Sequence, residues 1–184
     1  MGVIGVLALQ GGYQAHERAL AEVGHRTVRV RYASEFPTLD GLVLPGGEST
    51  TMFKLLALEG LEQSLDAYVR SGRPVLATCA GLILAARTAV GPAQRSFGWL
   101  DVDVRRNAWG RQLDSFQATA DDTDLPLMFI RAPRIERVGP GVETVLRYHG
   151  EPILVRCGPI FGATFHPELT DDRRVHRQVF GPAS

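Results

Sequence analysis

Pro74-Val75-Leu76-Ala77-Thr78-Cys79-Ala80-Gly81-Leu82 decides how the rest of the chain is read. A short apolar run leads into Cys79, and a helical pattern leaves it at once. A strand and the helix that follows it crowd each other at so tight a turn, so the flanking residues must be small, as Ala77, Ala80 and Gly81 are. This is the layout of a nucleophile elbow, which lifts one reactive side chain out of a sheet. The helix start offers unused N–H groups and the positive end of its dipole, and both favour a thiolate. The N–H of Ala80 stands where an oxyanion on an attacked carbonyl would form. Taken alone, the stretch also fits a small buried cysteine at a strand end.

Residues 3–9 (VIGVLAL), 27–32, 41–44 and 74–78 read as strands, the first and last apolar enough to be buried on both faces of a parallel sheet. Helical patterns fill residues 13–23, part of 50–70, and 80–88. That order predicts a three-layer α/β fold of flavodoxin-like type, its mostly parallel central sheet flanked by helices. The second half reads as further strands over 98–105, 112–119, 127–131, 144–148, 153–157 and 160–165, and extra antiparallel strands are expected among them. A last helix covers 173–180, with Thr170-Asp171-Asp172 as the source of its N-cap.

The 184 residues predict one domain over 1–184, long enough to fold without a disulfide or metal staple. Twenty Lys+Arg balance 20 Asp+Glu, which leaves no bulk field for nucleic acid or an anionic membrane. The two cysteines make no disulfide scaffold, and metal-binding C-x-x-C spacing is absent, so no metal is expected. The N-terminus lacks a basic signal-peptide region, and no apolar run approaches the ~20 residues that span a bilayer. The expected address is cytoplasmic.

Two further motifs carry chemistry. Phe165-His166-Pro167-Glu168 follows an apolar strand, and Pro167 pushes His166 toward extended backbone. Residues two apart then face the same side, so Glu168 can set the tautomer of His166 and support its imidazolium. Leu44-Pro45-Gly46-Gly47-Glu48-Ser49-Thr50-Thr51 ends a strand in paired glycines that let backbone approach a ligand, and Ser49 or Thr50 is the expected helix N-cap. It lacks the Lys of a phosphate-binding P-loop. His16, His25, His149 and His176 stand alone and read as surface or helix residues, and Cys157 as an inert core thiol. Arg105-Arg106-Asn107 and Arg131-Ala132-Pro133-Arg134 read either as solvated charge or as an anion clamp.

Together these motifs resemble a class I, triad-type glutamine amidotransferase, and more closely the glutaminase-subunit family of pyridoxal 5′-phosphate synthase. The resemblance is carried by residues 5–11, 44–51 and 78–83, by Phe97-Gly98, Arg106-Asn107 and Gly110-Arg111-Gln112, and by residues 129–133 and 165–170. It departs at Ala77, where the elbow usually opens with Gly, and at Arg105, where an acidic residue is usual.

The resemblance implies hydrolysis of the side-chain amide of L-glutamine to glutamate and ammonia. Cys79 is then the nucleophile, His166 the acid–base and Glu168 the residue that orients it. Ala80 and Gly47 supply the oxyanion donors, and Gly47, Glu48, Ser49, Arg106, Ile130 and Arg131 line the glutamine pocket. It further implies no cofactor, and a (β/α)8-barrel synthase subunit as the partner that consumes the ammonia. The Gly46–Gly47 loop is expected to be poorly set until that partner docks. A cysteine peptidase would share the elbow and the histidine but would have no use for Glu48 and Arg106. A scaffold that merely kept the fold would have no use for Cys79, His166 and Glu168.

Overall fold

The computed structural model describes residues 2–108 and 115–182. The Gly110-Arg111-Gln112 motif and the first residues of the strand expected over 112–119 lie outside the described residues.

Five parallel strands form the centre: β1 (Val3–Leu7), β2 (Arg26–Val30), β3 (Gly41–Leu44), β4 (Val75–Thr78) and β12 (Ile160–Ala163). Two antiparallel strands, β11 (Glu151–Cys157) and β10 (Glu143–Tyr148), extend one edge, giving the order β10-β11-β12-β4-β3-β1-β2. The period-2 alternation of a strand divides the apolar residues between two cores. Leu42 and Leu44 of β3, with Val75 and Ala77 of β4, face one side; Val43 and Leu76 face the other. Both sides are apolar because helices cover both, as parallel sheets require.

On the first side lie α2 (Ser49–Leu58), α3 (Glu62–Arg70) and α4 (Ala80–Ala85). A small sheet of β5 (Ala86–Val90), β6 (Leu100–Arg105) and β9 (Arg134–Val138) packs with them. On the second side lie α1 (Tyr13–Glu22), α5 (Arg174–Phe180) and the hairpin of β7 (Ser115–Thr119) and β8 (Pro126–Ile130). The three layers and the parallel sheet agree with the sequence reading.

The helix expected within 50–70 is present as two helices, broken at Gly60, whose φ of +65° suits glycine. Three local expectations are corrected. The helix expected over 80–88 ends at Ala85, because residues 86–90 pair with β6 instead. Arg134, read as solvated charge or an anion clamp, instead opens strand β9, whose Arg134, Glu136 and Arg137 pair with Glu151, Arg105 and Asp103. The N-cap of α5 is Arg173 rather than a residue of 170–172, although the Asp172 carboxylate still accepts from the Arg174 N–H at 2.7 Å. No helix among the described residues is long and apolar enough to cross a membrane.

Candidate active site

The sheet register brings the motifs together. Ala163 pairs with Thr78, and Leu44 pairs with Ala77. Cys79 stands one residue beyond Thr78, His166 three beyond Ala163 and Gly46 two beyond Leu44. All three therefore emerge at the carboxyl ends of neighbouring parallel strands, where ligand sites of open α/β sheets form.

Cys79 turns from β4 into α4 with φ +47° and ψ −99°, a conformation that a non-glycine residue adopts only when its surroundings enforce it. The enforcement comes from packing and pairing. The Cys79 N–H donates to the Ala163 carbonyl at 2.9 Å, and its own carbonyl accepts from the Ile83 N–H at 3.1 Å. A Cβ added at Gly81 would lie 2.1 Å from the Leu44 carbonyl oxygen, so only glycine lets the helix start this close to β3. The Ala80 N–H belongs to the first helical turn, whose N–H groups have no partner within the helix.

The His166 ring packs over Gly46, where an added Cβ would come within 2.3 Å of Cε1. Its Nδ1 lies 2.7 Å from Glu168 Oε1. Both residues are nearly buried, at 8% and 5% exposure, which strengthens the pairing. Burial by itself would lower the pKa of His166. Hydrogen bonds with Cys79 and Glu168, and the negative charge of both, outweigh burial and raise it to about 10. Burial would raise the pKa of Glu168, but His16 and His166 hold it down.

Cys79, His166 and Glu168 border one cavity of about 280 Å³, and so do Gly47, Glu48, Ser49, Arg106, Ile130 and Arg131. Ala80 is fully buried behind Cys79 and does not border it. The Glu48 carboxylate, rather than Ser49 or Thr50, caps α2, accepting from the Thr51 N–H at 2.7 Å and the Thr50 N–H at 3.3 Å. The Ser49 hydroxyl donates to Gln94 at 2.8 Å. Arg106 reaches over the loop, its Nη2 lying 3.3 Å from Thr50 Oγ1 and 3.5 Å from Glu48 Oε1. The Ile130 carbonyl stands 3.9 Å from Cys79 Sγ. Asn107 and Arg131 take positive φ values at the cavity, +50° and +43°.

Three contributions were not legible in the sequence. Gly12 and Leu169 also line the cavity. Gln10 pins the glycine loop, its Oε1 accepting from the Glu48 N–H at 3.2 Å and its Nε2 donating to the Glu48 carbonyl at 3.1 Å. His16 and His176 are helix residues as expected, but they are not alone. Both are fully buried, with His16 Nε2 3.3 Å from Glu168 Oε2. Histidines on separate amphipathic helices give no sign of meeting until the helices dock.

An elbow cysteine and a histidine–carboxylate pair at the carboxyl edge of this sheet define the class I glutamine amidotransferases. A solved glutamine amidotransferase superposes with a TM-score of 0.89 at 43% identity, covering 97% of each chain. The PurLQS structure from Thermotoga maritima, at 18% identity, shares the fold with a TM-score of 0.70. The chain belongs to the SNO glutamine amidotransferase family, whose model matches residues 6–181. It is 51% identical to the pyridoxal 5′-phosphate synthase subunit PdxT of Frankia casuarinae over 181 residues, which cover 95% of this chain and 91% of the relative. The PdxT subunit of Koribacter versatilis is 48% identical over 177 residues, which cover 94% and 91%.

Proposed function

We propose that this chain is the glutaminase subunit of a pyridoxal 5′-phosphate synthase and hydrolyses L-glutamine to L-glutamate and ammonia. The observation that carries the reading is the 2.7 Å contact of His166 with Glu168, in the cavity that also holds the elbow cysteine. Cys79 attacks the side-chain amide carbon as a thiolate and forms a tetrahedral oxyanion. The N–H groups of Ala80 and Gly47 stabilise that oxyanion, and loss of one such donor typically costs ~3 kcal/mol. His166, protonated beside the sulfur, gives its proton to the leaving ammonia, and a thioester remains. Water, deprotonated by His166, then attacks the thioester and releases glutamate and the thiol.

Glu168 holds the tautomer of His166 and stabilises its imidazolium throughout. Arg106 offers a guanidinium to the α-carboxylate of glutamine, and Glu48 a carboxylate to its α-ammonium. The Glu48 carboxylate already serves the α2 N-cap, so it meets the substrate in a fixed orientation. The ammonia passes to a (β/α)8-barrel synthase subunit, whose docking sets the Gly46–Gly47 loop. The test is ammonia release by wild type and Cys79→Ala, each with and without the synthase subunit. The reading requires that Cys79→Ala be inactive in both and that the wild type be accelerated by the partner. Activity in Cys79→Ala would refute the nucleophile, and equal wild-type rates would refute the loop's dependence on docking.

A further inference from the structure

The triad uses only one oxygen of Glu168. The other, Oε2, is buried and receives no well-aligned hydrogen bond from any described residue, but His16 Nε2 stands 3.3 Å from it. The same nitrogen lies 3.2 Å from the hydroxyl of Thr78, the residue before the elbow cysteine. On the far side of the ring, His16 Nδ1 lies 3.1 Å from His176 Nε2. Both imidazoles are 0% exposed. They come from α1 and α5, elements 160 residues apart in sequence.

We propose that His176 and His16 are positioning residues, a buried relay that fixes the Glu168 carboxylate and through it the His166 imidazole. The negative charge of the carboxylate selects the tautomers of both imidazoles. A lone pair on His16 Nε2 would face a carboxylate oxygen at 3.3 Å, so Nε2 carries the hydrogen, donates it to the Thr78 hydroxyl and turns the positive edge of its ring toward Glu168 Oε2. His16 Nδ1 is then bare and accepts from His176 Nε2–H. This leaves His176 Nδ1 as an unpaired acceptor, and no described residue partners it. An unpaired acceptor is tolerated in a protein interior more readily than an unpaired N–H.

Burial first, opposed by Glu168 and reinforced by the positive charge of His166, holds His16 below the ordinary histidine range. Burial first, reinforced by His16 and Arg173 against Glu168, takes His176 down to about 3. The relay is therefore neutral at working pH and supplies dipoles in place of charge. A neutral donor holds the carboxylate in its plane without removing the negative charge that supports the His166 imidazolium.

This inference rests on the triad reading, and its test separates the two. Ammonia release is measured in the presence of the synthase subunit for His16→Leu, His16→Gln, Glu168→Gln, the double variant His16→Leu/Glu168→Gln, and Cys79→Ala. Loss of the relay donor is expected to lower kcat of His16→Leu at least about tenfold, part of the ~10²–10⁴ that positioned acid–base groups contribute, with KM within about twofold. His16→Gln returns an N–H toward Glu168 and is expected to recover kcat to within about threefold of wild type. The double variant is expected to be no slower than Glu168→Gln alone, because His16 acts only through that carboxylate.

The relay is overturned if His16→Leu keeps wild-type kcat, if His16→Gln is as slow as His16→Leu, or if the two losses multiply in the double variant. Should His16→Leu fail to fold, His176→Phe removes the donor to His16 Nδ1 and replaces it in the same cycle with the same criteria. An inactive Cys79→Ala together with multiplying losses would refute the relay and leave the triad standing; an active Cys79→Ala would refute both.

Discussion

Gly46→Ala puts one methyl group where the site has no room for it. The new Cβ would lie 2.3 Å from His166 Cε1, 3.0 Å from Nδ1 and 3.4 Å from the Cβ of Cys79. Carbon atoms rest at ~3.5 Å or more, so the ring must retreat by about 1.2 Å. It has little freedom to do so. The His166 N–H is tied to the Met128 carbonyl at 2.8 Å, and Nδ1 to Glu168 at 2.7 Å. Retreat breaks or lengthens the charge-assisted bond to Glu168, worth ~1.5–3 kcal/mol, and overpacks the site at a cost of ~1–3 kcal/mol. A displacement of about 1 Å at a reacting group typically costs ~10²-fold in rate. The variant should therefore lose about 10²-fold or more in kcat for ammonia release. Its KM for glutamine should move far less, because Gly46 adds no group that holds the substrate's α-carboxylate or α-ammonium. The assay is steady-state ammonia release with the synthase subunit present, alongside urea unfolding to quantify folded protein. A folded Gly46→Ala protein with kcat within threefold of wild type would refute the claim that His166 is held against this loop.

Three further predictions follow from separate parts of the structure. Arg106→Ala should raise KM for glutamine at least as strongly as it lowers kcat, because the guanidinium borders the cavity beside Glu48 as a partner for the substrate's α-carboxylate, and an unchanged KM in steady-state kinetics would remove it from the pocket. Glu48→Ala deletes the α2 cap and should cost ~1 kcal/mol in urea unfolding, in addition to any effect on glutamine. Folding stability should peak near neutral pH, as urea midpoints at acid, neutral and alkaline pH would show. His166, raised to about 10, contributes stability that is full below pH 6.5 and lost as pH climbs through 10. His16 and His176, both lowered, remove stability as pH falls below 6.5, and Glu168, lowered from 4.5, loses its contribution as the solution becomes more acid. A midpoint still rising from neutral to alkaline pH would contradict that assignment of signs.

The parts of the fold legible in sequence were those written in local patterns. Continuous apolar runs marked β1 and β4, and β3 matched over Gly41–Leu44, because strands buried on both faces leave no polar interruptions. The elbow was legible because crowding restricts residues 77–81 to small side chains, and His166 and Glu168 because their spacing of two fixes a shared face. What was hidden depended on partners. Strand β9 hid its period in charges that pair only across a sheet that sequence cannot display. Residues 86–90 leave the helical pattern only because β6 offers hydrogen bonds. Glu48 took the cap from Ser49, whose hydroxyl turns to Gln94, a residue 45 positions away. His16 and His176 carried no signal, since nothing in two amphipathic helices announces that their buried faces converge behind Glu168.

The most direct measurement uses a glutamine-like diazo ketone and peptide mass mapping. The account predicts one adduct per chain, on Cys79, prevented by excess glutamine and strongly slowed in His166→Ala, while Cys157 stays unlabelled. A chain that hydrolyses glutamine yet carries its adduct anywhere but Cys79 would contradict it.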